Sequence, residues 1–561
     1  MFRDSIVRAV AKETKLSPAE IDQLLEVPRK ELGDFAFPCY VLAKVQKKSP
    51  VQIAQQLASM ALPAGIREIK AVGPYINFFV DNAAFAAEVL PAVRKQTDKY
   101  GAGRESSTIL IEYCGPNTNK PLHLGHLRNM AIGGALCRLH SFLGNDVKPV
   151  NIVNDRGVHI CQSMLAYDKW GKGKKPDKKS DHFVGDYYVL FAQQLQKNPE
   201  LEKDVQDLLL KWERGDKEVR ALWKKMNGWV LKGFAETYKR FGVSFDKEYF
   251  ESNLYEQGKE VAFEGLKNGV FIKDDKKSIV APLESYGLSN KVVLRGDGTS
   301  VYITQDMYLA EERFKDFAYD KMLYVVASEQ KLHFQQLFKI LELLQRPFAK
   351  RLVHVSYGLV NLPSGRMKSR EGTVVDADDI IDEVVALARK EVDSRYPALA
   401  AKVRSYRAEA IGLAAIKFYL LKTDAVRDIV YNPEESLHFE GETGPYLQYT
   451  HARACSILRK AGNAGKKLKF ELLHEAQEQL LVQLISSFPE AVGNAAHEYK
   501  PHLLCRHLLD IAQAFNDFYH HHTVISENKE LMGVRLVLVD CVRQVLKNGL
   551  KLLGIEALEE M

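Results

Sequence analysis

The stretch of sequence that decides the fold runs from Thr108 to Val153 and reads TILIEYCGPNTNKPLHLGHLRNMAIGGALCRLHSFLGNDVKPVNIV. It begins with an apolar run typical of a strand, passes through a polar loop into a segment of helical character, and ends in a second apolar strand. This succession predicts a parallel α/β unit, and such sheets bind ligands at the carboxyl ends of their strands. The loop with His123 and His126 is therefore predicted to lie at the ligand-binding edge.

Two later segments read as further strands of the same sheet: KMLYVVAS, from Lys321, and KRLVHVSYGLV, from Lys350. The distance along the chain between the first two strands and these predicts an insertion at about residues 167–300. Its first part is rich in lysine, and we interpret that run as a solvated loop.

The chain is predicted to be an α/β protein of three domains, because 561 residues are too many for one hydrophobic core. Residues 1–95 combine helical patterning with the strand-like EIKAVGPYINFFV and indicate a small α+β domain. Residues 96–373 hold the Rossmann-type parallel sheet with its insertion. Residues 374–561 have helical periodicity almost throughout and indicate an α-helical bundle.

Composition excludes several classes of protein. The seven cysteines are odd in number and scattered, and none forms a C-x-x-C pair, so structural zinc and a disulfide framework are not expected. No apolar run reaches the roughly 18 residues of a membrane span, and the first residues do not resemble a signal peptide. We expect a cytoplasmic protein with no membrane partner. A net charge of +6 permits an anionic partner without requiring one.

Three interpretations of His123 and His126 compete. Zinc usually takes histidines four residues apart with a further ligand, whereas these stand three apart across Gly125. They could instead cap a helix and have no other role. The surroundings favour a nucleotide site: Gly125 leaves room for an adenine ring, a helix beginning near Leu127 offers N–H groups to phosphate, and Lys120 supplies a charge.

A second cluster lies in LPSGRMKSREGTVVDADD, from Leu362 to Asp379. Arg366, Lys368 and Arg370 stand within five residues in a loop that follows a strand. Such a loop suits a cationic clamp over a triphosphate. Alone the pattern is weak, but together with the histidine loop it indicates a nucleotide-binding enzyme.

These motifs resemble those of class I aminoacyl-tRNA synthetases: HLGH resembles the HIGH motif, and RMKSR resembles the KMSKS loop. Further stretches resemble the arginyl-tRNA synthetase family in particular, from ELGDFAF and VGPYINFF near the start, through GDGTSVYITQDMYLAEER and YVVASEQKLHFQQLF, to GETGPYLQYTHAR and VLKNGLKLLGIEALEEM. The resemblance implies that the protein activates arginine with ATP to arginyl-adenylate and transfers it to the 2′-hydroxyl at the 3′ end of its tRNA. Its expected partners are tRNA(Arg), L-arginine and ATP as a Mg²⁺ complex, with no bound cofactor and no metal ligands, and we expect a monomer.

The resemblance also implies roles for individual residues. The residues expected to bind ATP are His123, Gly125, His126, Arg366, Met367, Lys368 and Ser369. The catalytic residues are expected to be Lys120, His123, His126, Lys368 and Arg370. The residues expected to bind arginine are Glu112, Asn117, Tyr302, Asp306 and Gln330, with carboxylates facing the guanidinium.

The basic loop departs from the family pattern. Its first lysine is replaced by Arg366 and its second by Ser369, while Lys368 and Arg370 flank that position. Some members of the family also lack the second lysine, and the lysine before the HIGH motif is thought to supply its charge. In this sequence that residue is Lys120.

The candidate arginine-binding residues also have structural interpretations. Tyr302 lies in a strand-like pattern and could belong to the core, and Asp306 could be the N-cap of the helix that follows. Glu112 is harder to explain by packing, because buried carboxylates are rarely left unpaired.

For tRNA, the resemblance points to both ends of the chain. Tyr75 and Asn77 are candidates to contact the D-loop by stacking and base-edge hydrogen bonds. The C-terminal helices resemble the DALR anticodon-binding domain, where Tyr446, Gln448 and Arg453, together with Tyr449 and His451, could form an RNA-binding face. An ordinary strand aromatic and a turn asparagine remain an equal alternative for the first pair.

Two other functions remain to be weighed. A small-molecule nucleotidyl transferase with an HxGH motif would need neither terminal domain, so the chain length argues against it. A catalytically inactive relative that serves as an RNA-binding scaffold would be expected to lose the site, yet His123, Gly125, His126 and the basic loop at Arg366 are present.

Overall fold

A computed structural model describes residues 2–29, 32–361, 363, 375–461 and 468–561 of the chain. The chain forms two compact units. Unit 1 consists of Met1–Tyr100, Arg453–Ser487 and Asp510–Val545, and unit 2 of Gly101–Ala452, Phe488–Leu509 and Leu546–Met561. The units therefore do not divide at the predicted boundary of 373, since the helices that follow it belong to the same unit as the sheet.

The N-terminal part of unit 1 is a small α+β arrangement. Its elements are α1 (Phe2–Glu13), α2 (Pro18–Leu24), β1 (Phe35–Pro38), α3 (Ala43–Gln46), α4 (Pro50–Leu57), β2 (Ile66–Val72), β3 (Tyr75–Val80) and α5 (Asn82–Gln96). Ser17 and Ser49 cap α2 and α4 through capping boxes, each with proline at the first helical position. The strands form an antiparallel sheet in the order β1-β3-β2, which covers a core containing Ile6, Phe37 and Phe78.

Unit 2 contains the sheet and the helices that surround it. In chain order its elements up to the last strand of the sheet are β4 (Thr108–Glu112), α6 (Leu124–Phe142), β5 (Asp146–Val153), α7 (Val158–Ala166), α8 (Ser180–Lys197), α9 (Leu201–Glu213), α10 (Lys217–Phe241), β6 (Lys247–Phe250), α11 (Gln257–Lys267), β7 (Ile272–Lys273), β8 (Ile279–Ala281), β9 (Lys291–Leu294), α12 (Tyr302–Phe317), β10 (Lys321–Ala327), α13 (Lys331–Leu343) and β11 (Leu352–Tyr357).

The principal sheet is parallel, with five strands in the order β11-β10-β4-β5-β6. The chain leaves β4 toward β5 and β6 and later returns to add β10 and β11 on the other side of β4. The strand order therefore reverses between β4 and β10, and ligands of open α/β sheets bind at such a point, beyond the carboxyl ends of the strands.

The sequence interpretation was wrong in one respect. The stretch at about residues 167–300 was predicted to interrupt the sheet, yet β6 lies within it and pairs with β5 from Val150↔Lys247 to Val153↔Phe250. The strand is short, and its KEYF sequence lacks the continuous apolar run that predicted the other strands. The small antiparallel sheet β7-β8-β9 lies in the same stretch.

The core of unit 2 explains why the predicted strands form. Leu110, Val150 and Met322 are fully buried, as expected for a parallel sheet with helices on both faces. Helices α12 and α13 cover one face with Met307, Leu337 and other apolar side chains. The Rossmann-type fold predicted from Thr108–Val153 is confirmed.

The remaining elements are almost all helical, as predicted. They are β12 (Val360–Asn361), α14 (Ala377–Arg395), α15 (Ala401–Leu421), β13 (Ile429–Val430), α16 (Pro433–Ser436), α17 (Gly444–Ala461), α18 (Ala476–Ser486), α19 (Phe488–His497), α20 (Pro501–His521) and α21 (Lys529–Leu552). Among the described residues, every helix is too short or too polar to span a lipid bilayer. All seven cysteines are free thiols.

Candidate active site

The loop after β4 turns sharply before it reaches the histidines. Cys114 and Gly115 both have positive φ, 83° and 62°, which is unusual for a residue with a side chain. Two asparagines hold this turn: the Cys114 N–H donates to Asn129 Oδ1 at 2.5 Å, and the Gly115 N–H donates to Asn151 Oδ1 at 3.0 Å. Sequence reasoning did not single out either asparagine.

Asn129 also joins the two strands between which the sheet order reverses. Its Nδ2 donates to the carbonyl oxygen of Val325 in β10 at 2.8 Å, while its Oδ1 holds the turn after β4. Asn129 is 5% exposed, so these bonds are shielded from water and fix the start of α6 relative to both strands.

Helix α6 begins at Leu124, three residues earlier than predicted, with His123 as its N-cap. His123 Nδ1 accepts a hydrogen bond from the Gly125 N–H at 3.1 Å, and His126 Nδ1 accepts one from the His123 N–H at 3.1 Å. The two imidazoles thus form a capping box, and their ring centroids lie 4.0 Å apart. The capping and ligand-binding interpretations of these histidines do not exclude one another.

This arrangement fixes the proton positions on both rings. A ring nitrogen that accepts a hydrogen bond carries no proton, so each neutral imidazole carries its proton on Nε2. Burial and the Lys120 charge lower the pKa of His123 to about 3. Burial, with His123 and Lys120, also holds the pKa of His126 well below its ordinary value. Both side chains are therefore neutral and can donate from Nε2–H to a ligand.

Gly125 has a function that the sequence interpretation did not include. A Cβ placed on Gly125 would lie 3.0 Å from His123 Cε1 and 3.1 Å from its Nδ1. The absent side chain therefore lets the His123 ring fold back over the first turn of α6. Leu124, between the histidine and the glycine, is fully buried.

Lys120 lies on the same loop and is half-buried. Burial lowers its pKa, and the negative charge of Asp376 opposes that effect. Asp376 reaches this place because it precedes α14, where it forms an antiparallel bridge with His123. A cation and two neutral donors thus lie on one continuous stretch of chain, and the segment before α14 adds the negative charge of Asp376.

Asn117 and Gln330, which are predicted to orient the arginine substrate, both lie at the carboxyl edge of the sheet. Asn117, in the loop after β4, is exposed and pairs with Asn154 in an isolated parallel bridge. Gln330 is exposed at the end of the short turn between β10 and α13. Their strands are neighbours in the sheet, so both carboxamides belong to the edge where the strand order reverses.

Glu112 already has a partner within the protein. It is the last residue of β4, is 6% exposed, and forms an ion pair with Arg313 of α12, which is 1% exposed. Burial raises the pKa of Glu112, while Arg313 acts in the opposite direction. The sequence argument that a buried carboxylate needs a partner was sound, but the partner is Arg313.

The structure corrects the alternatives considered for Tyr302 and Asp306. Tyr302 is the first residue of α12 and is 73% exposed, so it is neither in a strand nor in the core. Asp306 lies inside α12 and is not its N-cap, which is Val301. Its Oδ2 lies 2.6 Å from His333 Nε2 of α13. One turn of helix separates the two residues, so both face the same side of α12.

Glu251 is a candidate that sequence reasoning missed. It follows the last residue of β6 and is 7% exposed, and the negative charge of Asp306 acts to raise its pKa. Burial raises the pKa of Glu251 to about 7, although Arg156 acts to lower it. Desolvation and the charges of Glu251 and Asp306 together raise the pKa of Tyr302. The position of Glu251 at the carboxyl end of β6 would have indicated a ligand-binding residue, but β6 was not predicted from the sequence.

The residues of the predicted basic loop, Arg366, Met367, Lys368, Ser369 and Arg370, lie outside the described residues.

Of the two tRNA candidates near the N terminus, one is buried. Tyr75 begins β3 and is half-buried, with its hydroxyl 3.4 Å from that of Tyr40, an exposed residue. Their rings pack edge to face. Asn77 is 2% exposed inside the sheet of unit 1, and its contact with a base edge stays a prediction.

The candidates on α17 also differ in exposure. Gln448 is fully buried, and its Nε2 donates to the Glu556 carbonyl at 2.8 Å. His451 is 1% exposed, with Nδ1 2.8 Å from the Leu558 carbonyl. These two residues therefore pack inside unit 2 and do not form an RNA-binding face. Tyr446 and Tyr449 are half-buried.

Arg453 belongs to unit 1, where it contacts α20. Its Nη1 donates to Asn516 Oδ1 at 2.5 Å, and its guanidinium lies 5.3 Å from the ring centroid of Tyr519, which is 41% exposed. An arginine held beside an exposed aromatic ring can contact RNA by charge and stacking.

One group of side chains in the described residues has the composition of a metal site. Ligand atoms of Asp181, His182 and Asp378 lie within 4.8 Å of one another. Lys179 Nζ, however, lies 2.8 Å from Asp181 and 3.0 Å from Asp378. The ammonium already occupies the position of a cation between the carboxylates, so we assign no metal to this group.

Three family models match the chain. The model for the catalytic domain of class I (R) tRNA synthetases matches residues 89–433, the DALR anticodon binding domain matches residues 447–561, and the arginyl tRNA synthetase N terminal domain matches residues 1–80.

Curated relatives and solved structures agree with these models. An arginine–tRNA ligase of Treponema pallidum is 44% identical and is aligned over 100% of this chain and 99% of its own. The ligase of Treponema denticola is also 44% identical, over 99% and 98%. The arginyl-tRNA synthetase structure from Thermus thermophilus, 28% identical, superposes with a TM-score of 0.82 and full coverage of both chains.

Proposed function

The chain belongs to the arginyl-tRNA synthetase family of class I aminoacyl-tRNA synthetases and joins arginine to tRNA, and we propose how its residues divide that reaction. The family uses ATP to activate the amino acid. We place activation beyond the carboxyl ends of β4 and β10, where the strand order of the sheet reverses.

In the proposed first step, a carboxylate oxygen of arginine attacks the α-phosphorus of ATP. The bond from that phosphorus to the bridging oxygen breaks, and pyrophosphate leaves with the electron pair. The attacking carboxylate carries no proton, so the step needs no general base. Catalysis then depends on alignment and on stabilising negative charge on the phosphoryl oxygens.

His123 and His126 are proposed to stabilise that charge as neutral donors. Both imidazoles are oriented by backbone N–H groups through Nδ1, which leaves Nε2–H for phosphoryl oxygens. The positive end of α6 adds to the same field. This pair of oriented donors is the observation that carries the proposal.

Lys120 is proposed to supply the mobile positive charge. It precedes the histidines on the same loop and interacts with the charge of Asp376. Because the basic loop has Ser369 where the family pattern has a lysine, Lys120 takes over that charge. Arg366, Lys368 and Arg370 are proposed to contact the β- and γ-phosphates of ATP, which binds as its Mg²⁺ complex.

The guanidinium of the substrate is proposed to bind between Asp306, Glu251 and the hydroxyl of Tyr302. Planar guanidinium matches carboxylates through paired hydrogen bonds, and two carboxylates also reject neutral analogues that lack its donors. Glu112 contributes less charge than the sequence suggested, because Arg313 neutralises it. Asn117 and Gln330 are proposed to orient the α-amino and carboxylate groups of arginine.

In the second step, the 2′-hydroxyl of the terminal adenosine attacks the arginyl carbonyl carbon and gives up its proton to solvent as the ester bond forms. The bond from that carbon to the phosphate oxygen breaks, and AMP leaves with the electron pair. For tRNA binding, we propose that Tyr75 and its neighbour Tyr40 contact the D-loop, and that Arg453 and Tyr519 contact the anticodon stem and loop.

The chain is proposed to act as a monomer in the cytoplasm, a reducing compartment in which free cysteines are usual.

Pyrophosphate exchange into ATP tests the proposed activity. The purified protein is incubated with labelled pyrophosphate, ATP, Mg²⁺ and each amino acid in turn, with and without tRNA. We expect exchange with arginine and with no other amino acid. Absence of arginine-dependent exchange in both conditions would contradict the proposed activation step.

A further inference from the structure

A cluster of charged side chains lies where α8 meets the first turn of α14. His182 of α8 stands between two carboxylates: its Nε2 lies 3.0 Å from Asp378 Oδ2, and its Nδ1 lies 3.4 Å from Asp376 Oδ2. Lys179 Nζ contacts Asp378 at 3.0 Å and Asp181 at 2.8 Å. An imidazole can donate from both ring nitrogens only when it is protonated.

Helix α10 completes this cluster. Lys179 Nζ donates to Thr237 Oγ1 at 2.8 Å, and Thr237 Oγ1 lies 3.1 Å from Asp378 Oδ1. Thr237 is fully buried, and Asp378 is 8% exposed. A charged group in such a place is stable only when it is paired, so each member depends on the others.

The backbone of the same turn is joined to the histidine loop. The Ala377 N–H donates to the Leu122 carbonyl oxygen at 2.8 Å, and Asp376 pairs with His123 in an antiparallel bridge. Any shift of the first turn of α14 would therefore move the backbone of His123, the residue that caps α6.

Asp376 is the N-cap of α14, yet its side chain does not cap the helix. An aspartate in this position ordinarily accepts hydrogen bonds from backbone N–H groups of the first turn. Here its carboxylate lies near His182, and its charge acts on Lys120. The carboxylate of Asp376 thus lies toward His182 and does not cap its own helix.

Two glycines bring α8 close to its neighbours. A Cβ on Gly185 of α8 would lie 2.7 Å from Pro121 Cδ, and a Cβ on Gly233 of α10 would lie 2.2 Å from Asp181 Oδ1. Helix α8 therefore packs directly against the loop that carries Lys120, with no space for a side chain between them.

We propose that His182 is a positioning residue for adenylate formation: by holding Asp376 and Asp378, it fixes the first turn of α14 against the histidine loop and directs the carboxylate of Asp376 toward Lys120. This inference rests on the proposed function of Lys120 and the histidines. His182 itself touches no substrate. It acts through backbone contacts to His123 and through the charge of Asp376.

The charges around His182 give this function a pH dependence. Asp181 on its own helix and Asp376 and Asp378 on α14 face the imidazole. Lys179 is the neighbouring cation, and α10 contributes only the Thr237 hydroxyl. The hydrogen bond to Asp378, with the charges of Asp181 and Asp376, raises the pKa of His182 against the effect of burial. Burial raises the pKa of Asp376 to about 6, so the cluster is fully charged above about pH 6 and below the raised pKa of His182. It loses its central cation as the pH rises through the pKa of His182.

The test compares His182→Gln and Asp378→Asn with a control, His438→Gln, which changes an exposed histidine of the same unit. Arginine-dependent pyrophosphate exchange is measured between pH 6 and 9 with tRNA present. We expect His182→Gln and Asp378→Asn each to lower kcat by roughly tenfold, with the KM for arginine unchanged. In His182→Gln the alkaline fall in kcat should disappear.

A conservative pair separates positioning from folding. Lys179→Arg retains the cation beside Asp378 and should retain most of the wild-type kcat, whereas Lys179→Met should resemble Asp378→Asn. Thermal unfolding of each variant gives the fraction folded at the assay temperature.

The proposal is overturned if His182→Gln retains the wild-type kcat and alkaline limb, or if every loss of kcat matches a loss of folded protein. A wild-type protein without arginine-dependent exchange would instead contradict the proposed function, so the two failures are distinguishable.

Discussion

His126 Nδ1 accepts a hydrogen bond from the backbone N–H of His123 at 3.1 Å, so the second histidine of the motif is oriented by the residue that caps the helix. The first histidine is oriented in the same way, by the N–H of Gly125. The two side chains proposed to bind phosphate are therefore fixed by backbone groups two and three residues away. Their spacing across a glycine is a geometric requirement of this double cap.

Gly125→Ala should lower the rate of adenylate formation with little loss of stability. The new Cβ would lie 3.0 Å from His123 Cε1, which pushes the ring away from the cap and misaligns its Nε2–H. We expect kcat for pyrophosphate exchange to fall by about 10- to 100-fold. Gly228→Ala is the matched control, because Gly228 is also helical and nothing lies within 4 Å of its Cβ position. Equal rates in the two variants would contradict the role assigned to Gly125.

Asp306→Asn should weaken recognition of arginine. The substitution removes one of the two carboxylates proposed to bind the guanidinium, and His333 retains only a neutral acceptor. We expect the KM for arginine to rise at least about tenfold, equivalent to roughly 1.4 kcal/mol, while the KM for ATP stays near that of the wild type. Asp297→Asn, an exposed carboxylate whose partner is Thr299, serves as control. A larger effect on ATP than on arginine would argue against this placement.

Affinity for arginine should increase as the pH rises through about 7. Burial raises the pKa of Glu251 to about 7, so this carboxyl is protonated in acid and becomes a charged acceptor above that pH. The KM for arginine should therefore fall between pH 6 and 8 in the wild type. In Glu251→Gln the KM should be higher and independent of pH over this range. An unchanged pH profile in this variant would show that Glu251 does not face the substrate.

Glu112→Gln should destabilise unit 2, because it leaves the buried Arg313 guanidinium without its carboxylate. Loss of one partner of a buried ion pair typically costs about 3–5 kcal/mol. Urea unfolding followed by circular dichroism measures the change. Replacing both residues, Glu112→Gln with Arg313→Met, should restore part of the loss. Glu391→Gln is the control, since the side chains of Glu391 and its partner Arg395 are both about half exposed and such pairs are worth about 1 kcal/mol or less.

The parts of the fold that could be predicted from the sequence share one property, a clear pattern of apolar residues. The strands at Thr108 and Lys321 were evident because parallel strands buried on both faces are continuously apolar. Strand β6 was missed because KEYF has no such run, and its pairing with β5 depends on contacts distant in sequence. Glu251 was missed for the same reason, since its place at a strand end is visible only once the strand is known.

In the candidate site too, some residues could be predicted from the sequence and others could not. Local patterns located His123, Gly125, His126 and Lys120 at the correct edge of the sheet, because a strand followed by a helix determines that position. The groups that act on Lys120 and Glu112 could not be predicted, because they come from distant segments: the charge of Asp376, just before α14, acts on Lys120, and Arg313 of α12 pairs with Glu112. The sequence also could not predict which side chains of α17 are exposed, since Gln448 packs inward.

The composition of unit 1 from separate segments has a consequence for biosynthesis. Helix α5 buries Leu90, whose carbonyl oxygen accepts a hydrogen bond from Cys541 Sγ at 3.4 Å, 451 residues later in the chain. At about 5–20 residues per second, the ribosome needs roughly 20 to 90 s to make that partner. The small N-terminal sheet can close around its own core at once, but the contact between α5 and α21 cannot form during that time. The side of α5 that faces α21 therefore stays exposed on the nascent chain until α21 has been synthesised.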